Sequence, residues 1–168
     1  MHDIKINSVT GSEVITTQNV KDFVRIDTSA DDAIIDRMIT AARTWCENYI
    51  GKDIVAKNRT FYLQEVEGRF TLPFAPLASI TTVTSKDVAI SYDTYGLDDA
   101  IIEIGTLPAD EIKVTYITTG LTDDIIKEAI LHLVSTMYDY RADFIEGNVN
   151  EVPNKTKDIL QSFKTMYF

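Results

Sequence analysis

With 168 residues, 45% of them apolar and 25% charged, the chain can bury a sizeable core and has the balance of a globular protein, most simply one domain. Its 16 basic and 26 acidic side chains leave a net charge of −10, which argues against a nucleic-acid reader, because such proteins gather lysine and arginine on one face. The acidity is spread: residues 1–52 carry six basic and eight acidic groups, 53–121 five and ten, and 122–168 five and eight.

The chain begins with "MHDIKINSVT", which has no apolar core and so shows no secretory signal. No apolar run approaches the roughly 20 residues of a membrane span. The single cysteine, Cys46, allows no internal disulfide and fits a reducing compartment. A soluble, cytoplasmic product is expected. "TTQNVKDFVRID" predicts a short helix capped by Thr17, with Val20, Phe23 and Val24 inward and a close near Asp27. A long helix follows in "TSADDAIIDRMITAARTWCENYIGK". Ser29 with Asp32 resembles a capping arrangement. Ile34, Met38, Ala41, Ala42, Trp45 and Tyr49 form one stripe, widened by Ile35, Ile39, Cys46 and Ile50, and Gly51 supplies the stop. So wide an apolar arc predicts a central helix.

Residues 54–119 read as strands. "RTFYLQEV" and "RFTLPF" suggest a hairpin about "EGR", and "PLASITTVTSKDVAIS" gives two short strands around Ser85, Lys86 and Asp87. "AIIEIG" and "EIKVTYITTG" complete the set, the latter alternating Ile112, Val114 and Tyr116 against Lys113 and Thr115. Helix returns at Thr122, the expected cap, with Asp123 and Asp124 in the first turn. Ile126, Ala129, Ile130, Leu133, Val134 and Met137 carry its stripe to about residue 142, through a last turn holding Tyr138, Tyr140 and Arg141. After "FIEGNVNEVPN", with Pro153 at a helix start, a final helix should place Ile159, Leu160, Phe163 and Tyr167 on one side and end in Met166, Tyr167 and Phe168.

No phosphate-binding glycine loop, paired-cysteine motif or H-E-x-x-H stands in the chain. His132 has no second histidine or cysteine at ligand spacing and reads as a helix-surface or half-buried side chain. The best enzyme case is acidic: Asp32 and Asp36 on one helix face and Asp123 and Asp124 at another start could together hold magnesium. Asp at a helix start already has a structural purpose, and Arg37 and Arg43 stand near enough in sequence to neutralise the first pair. A third reading is an acidic inhibitor of a basic partner, whose complexes would weaken steeply with salt.

The order of the pieces resembles the phage head–tail connector family. The likeness is carried by "DFVRIDTSADDAIIDRMITAARTWCENYIGK", with its R-I-D break, acidic "DDAII" start and A-A-R-x-W-x-E-x-x-x-G helix. It continues in "LPFAPLASITTVTSKD", "YDTYGL" and "IKVTYITTGLTDDIIKEAILHLVSTMYDYRAD", which closes on Y-x-x-R, and ends in "VPNKTKDILQSFK". It covers about residues 20–165. The proline that often precedes the I-K-x-A-I helix is here replaced by Thr122-Asp123-Asp124, and the first 18 residues match nothing in the pattern.

The resemblance implies an α+β fold that is mainly α: one domain over residues 1–168, a small helical bundle (17–51 and 122–167) with a β-stranded insertion (54–119) between the second and third helices. It implies no enzyme and no cofactor, but a virion protein of the neck, assembled in the host cytoplasm. Copies would form a homo-oligomeric ring, twelvefold when assembled, on the portal protein after DNA packaging, extend the DNA channel, and dock the stopper or tail-side neck protein. Ile159, Leu160, Phe163, Tyr167 and Phe168 would touch the portal. Tyr138, Tyr140 and Arg141 would lie between subunits or else seal the bundle's end, since Tyr and Arg suit interfaces. An acidic wall would let DNA slide past without specific binding.

Overall fold

The computed structural model describes residues 1–105, 108–140 and 154–164. The chain divides into two compact units. One joins Met1–Ser12 to Val55–Leu121; the other joins Glu13–Ile54 to Thr122–Phe168.

The first unit is built of strands. In chain order these are β1 (His2–Val9), β2 (Lys57–Val66), β3 (Arg69–Thr71), β4 (Leu77–Ser85), β5 (Val88–Ala89), β6 (Tyr92–Tyr95), β7 (Ile101–Ile104) and β8 (Ala109–Thr118). They form a five-stranded sheet, β1-β2-β8-β4-β5, and a three-stranded sheet, β3-β7-β6, with every pairing antiparallel. β8 lies in the middle of the larger sheet. Its alternation sends Ile112, Val114 and Tyr116 into the core, each wholly buried, while Lys113 and Thr115 face the other way. Phe61, Val66 and Val83 from the larger sheet meet Ile102 and Ile104 from the smaller one in a single core. The Tyr116 hydroxyl donates to the Pro73 carbonyl at 2.7 Å, which ties the segment entering β4 to the central strand.

The β4–β5 turn is as expected in place but unusual in chemistry. Ser85 pairs with Val88, and both central residues, Lys86 (φ 49°) and Asp87 (φ 65°), are left-handed, a two-residue turn whose twist matches its strands and which usually takes Asn-Gly. Ion pairs Lys86–Asp110 (3.1 Å) and Asp87–Lys113 (2.6 Å) hold its tip to β8. The hairpin expected about "EGR" does not form. β2 pairs with β1 and β8, and β3 pairs with β7 in the other sheet.

The second unit holds α1 (Thr17–Val24), α2 (Asp32–Ile50), α3 (Asp124–Asp139) and α4 (Asn154–Gln161). Two of the starts have a side-chain cap. Thr16, rather than Thr17, caps α1 in a reciprocal box with Asn19, and Asp123, rather than Thr122, caps α3 by accepting from the Ile125 N–H at 2.8 Å. Asp31 is the N-cap of α2 without a side-chain cap bond, so the Ser29–Asp32 cap is not what starts the helix. Gly51 ends α2 at φ 70°, its N–H bonded to the Glu47 carbonyl at 2.9 Å. The buried line of α2 is Ile35, Ile39, Ala42, Cys46 and Ile50; Ile34, Met38, Trp45 and Tyr49 are half-buried and Ala41 is exposed. Val20 of α1, Ile126, Ala129, Ile130, Leu133 and Val134 of α3 and Leu160 of α4 add to this core.

The expectation of a mainly helical fold is therefore corrected. The described residues are 34% helix and 35% strand, with two antiparallel sheets, so this is a sheet-rich α+β protein. Two strands account for the difference. β1 arises from the first ten residues, whose Ile4 and Ile6 alternate with Asp3 and Lys5 too weakly to stand out. β6 lies in "YDTYGL", where the aromatics are too few to mark a strand without its partner β7.

Replacing Tyr116 by Phe keeps the ring in the core and removes the hydroxyl that bonds to Pro73. The expected loss is about 1 kcal/mol, seen as a melting temperature lower by about 2–4 °C; an unchanged value would mean that this bond does not secure the strand.

Candidate functional site

Within the helical unit a charged network runs through the core of α2. The Arg43 guanidinium is 5% exposed. Its Nε donates to Glu13 Oε2 at 2.8 Å and its Nη1 to Glu47 Oε2 at 2.7 Å. Glu47, 2% exposed, also accepts from the Ile54 N–H at 3.0 Å, and Glu13 accepts from the Thr40 hydroxyl at 3.0 Å. Burial works against the Arg43 charge, but the two carboxylates outweigh it and hold its pKa above the ordinary arginine value. The four-residue spacing of Arg43 and Glu47 was visible in the sequence. Glu13, thirty residues earlier, was not.

Cys46 lies beside this network, fully buried. Burial, then the Glu47 charge, pushes its thiol up to about 12, so it is inert rather than nucleophilic.

At the far end of α3, the Tyr138 hydroxyl donates to Asp31 Oδ2 at 2.6 Å, bracing the last turn of α3 against the start of α2. Tyr140, the residue closing that helix, is half exposed; Arg141 lies outside the described residues. Nearby, the ring of Phe23 meets His132 edge-on at 5.2 Å, and Phe23 is 39% exposed rather than inward as expected.

The four aspartates of the metal reading do not converge. Asp32 pairs with Lys21 at 3.0 Å, Asp36 accepts from the Thr17 hydroxyl, Asp123 caps α3, and Asp124 pairs with Lys127 at 2.7 Å, which holds its carboxyl below the usual range. Among the described residues no three His, Cys, Asp or Glu side chains gather as metal ligands.

The residues expected to meet the portal divide. Leu160 is wholly buried and belongs to the core of the helical unit; Ile159 and Phe163 are half-buried. Tyr167 and Phe168 lie outside the described residues. Lys164 is the last residue described, and its ammonium stands 5.0 Å over the ring of Tyr49, which stacks on Trp45 at 5.1 Å. That aromatic pair, read in the sequence as part of the core stripe, is instead the half-buried platform on which α4's trailing end rests.

The sequence pattern of the head completion protein family matches residues 13–165. No curated protein matches the chain. Among solved structures, a chain from the neck of an empty gene transfer agent particle, computed with C6 symmetry, is similar at a TM-score of 0.75 and 16% identity, covering 99% of this chain and 97% of that one. A chain from the neck of the native particle, computed with C12 symmetry, is similar at 0.71 and 17%, covering 100% and 97%. A chain from the native gene transfer agent virion is similar at 0.73 and 16%, covering 98% and 96%. At these identities the likeness establishes a shared fold.

Two measurements check the buried network. Arg43→Met should cost about 3–5 kcal/mol by removing the buried cation that Glu13 and Glu47 share, whereas Glu13→Gln, at the partly exposed end, should cost about 1 kcal/mol or less. Thiol reagents at pH 8 should label Cys46 only as fast as the chain unfolds; labelling of the folded protein within seconds would contradict its burial.

Proposed function

Because the chain belongs to the head completion protein family, we propose that it is a structural subunit of a particle neck, an adaptor that forms a ring on the portal. The observation that carries the reading is the family match, which runs through both units and leaves out only the first twelve and last three residues. The shared fold with chains from neck assemblies computed with C6 and C12 symmetry supports a ring of twelve copies. The role is mechanical: the ring extends the DNA channel once packaging ends and gives the stopper or tail-side protein a platform.

The portal contact then falls to the end of the chain. Since Leu160 is committed to the helical unit's own core, α4 anchors the segment rather than forming the contact. Phe163 and the Met166-Tyr167-Phe168 terminus are the apolar side chains left to meet the portal. Tyr140 with Arg141 forms a lateral contact, braced from within by Tyr138 on Asp31.

Purified particles test this directly. Quantitative mass spectrometry should find the chain near one copy per portal subunit, and its absence from particles would end the neck reading. A chain ending at Lys164 should keep its fold and melting temperature yet be lost from particles. Removing residues 158–168 instead should destabilise the helical unit, because it deletes Leu160.

A further inference from the structure

The five-stranded sheet ends on two unlike open edges, and we propose that they pair between copies: β1 of one subunit lies antiparallel along the free edge of β4 in the next. The inference rests on the ring reading above and adds which surfaces join neighbouring subunits.

Among the described residues β1 has β2 on one side and no strand on the other. It is eight residues long, contains no proline, and balances one lysine with one aspartate. Its apolar Ile6 is 48% exposed, as is Val9 at 53%. Soluble proteins normally blunt such an edge by shortening it or loading it with charge. The opposite margin of the same sheet shows that treatment, since β5 is only two residues long. β1 does not, beyond one register shift between Ile6 and Ser8.

The complementary edge is on β4. β5 pairs with it only at Thr84 and Ser85, and the Val83 carbonyl is taken by the Ile90 N–H at 3.2 Å. Leu77–Thr82 is therefore open on that side. This stretch walls a groove of about 190 Å³ whose other side is Tyr92 and Thr94 of β6, with Asp99 at its margin. Leu77, Ile80 and Tyr92 are half-buried there and offer apolar contacts to Ile6 of an added strand, beside the polar Ser79, Thr94 and Asp99.

Direction and length agree. Each step β1 to β2 to β8 to β4 is antiparallel, so β1 and β4 run oppositely, and a rotation that brings one copy's β1 beside the next copy's β4 preserves the alternation. Six open residues face a strand of eight. A ring contact is heterologous and needs two different, matching surfaces on every subunit; two ends of one sheet supply them. β1 precedes the span matched by the head completion pattern, so the family match by itself does not assign this contact.

Paired cysteines in assembled particles test the contact. Facing Cβ atoms in antiparallel neighbours lie about 4.5–5.5 Å apart, close to disulfide reach. Because β1 and β4 both carry register shifts, Ile6→Cys and Ser8→Cys should each be combined with Ala78→Cys, Ser79→Cys and Ile80→Cys. Buried Cys46 does not compete. Mild oxidation should convert at least one double variant into a ladder of covalent multimers, with both parent single variants remaining monomeric. Particles holding the double variants at the wild-type ratio to portal, with no ladder from any pair, would overturn the edge pairing and leave the neck reading standing; a wild-type chain absent from particles would remove both. Hydrogen exchange needs no substitution: amides of Asp3–Val9 and Leu77–Thr82 should exchange at least tenfold more slowly in particles than in the free chain, and equal rates would again overturn the pairing.

Discussion

β8 has a neighbour along each side, β2 and β4, and the strand-bearing unit is organised by that position. A strand paired on both sides has every backbone group satisfied, so its side-chain alternation alone decides what goes inside. Ile112, Val114 and Tyr116 go in and are wholly buried. Opposite them the register places Leu63, Phe61 and Arg59 on β2, and it places Val83 beside Val114 on β4. A slip of one residue would turn all of them outward. The same sheet does not close into a barrel, so fixing its centre leaves its margins unequal, one long and apolar at β1, the other covered only in part by β5.

The helical unit solves a different problem. Its apolar core draws on all four helices, with Val20 from α1, and among its buried polar groups Arg43 is held by a carboxylate four residues along its own helix and by another from the segment before α1. A buried guanidinium with two carboxylates contributes little net stability compared with an apolar substitute of the same shape. Its value is positional: Glu13 is fixed against α2, and the Glu47 carboxylate takes the Ile54 N–H as well, so the chain is fixed on entering and on leaving the long helix.

Much of this was legible in the sequence for physical reasons. Helix spacing located α2 and α3, glycine marked the end of α2, and strict alternation identified β8, because each is a local pattern that tertiary structure merely uses. The order of those local pieces carried the family likeness. What escaped was non-local. β1 has the composition of an ordinary terminus and becomes a strand only because β2 offers an edge fifty residues away. β2 and β3 looked like a hairpin because they are adjacent, yet each found its partners elsewhere. Tyr138 drew attention as a possible contact, and its bond to Asp31 spans 107 residues, a distance over which no spacing rule operates. The portal role of the last helix rests on the family likeness, and helical periodicity can align Ile159, Leu160 and Phe163 but cannot say that Leu160 faces inward.

The charge of the chain fits a conduit in a specific way. Many of its carboxylates are already employed: Asp123 in a cap, Asp32, Asp87, Asp110 and Asp124 in ion pairs, Glu13 and Glu47 around a buried arginine. These pairs also occupy Lys21, Lys86, Lys113 and Lys127, lysines that could otherwise reach a phosphate backbone. In the proposed conduit the acidic excess would therefore do more than repel DNA at long range, an effect that salt screens within about 10 Å. It takes up at close range the cations that would make DNA stick, by forming ion pairs with them. A DNA passage of the proposed kind would be better served by such ion pairs than by a neutral wall with unpaired lysines, because each phosphate contact would add to binding and slow the strand.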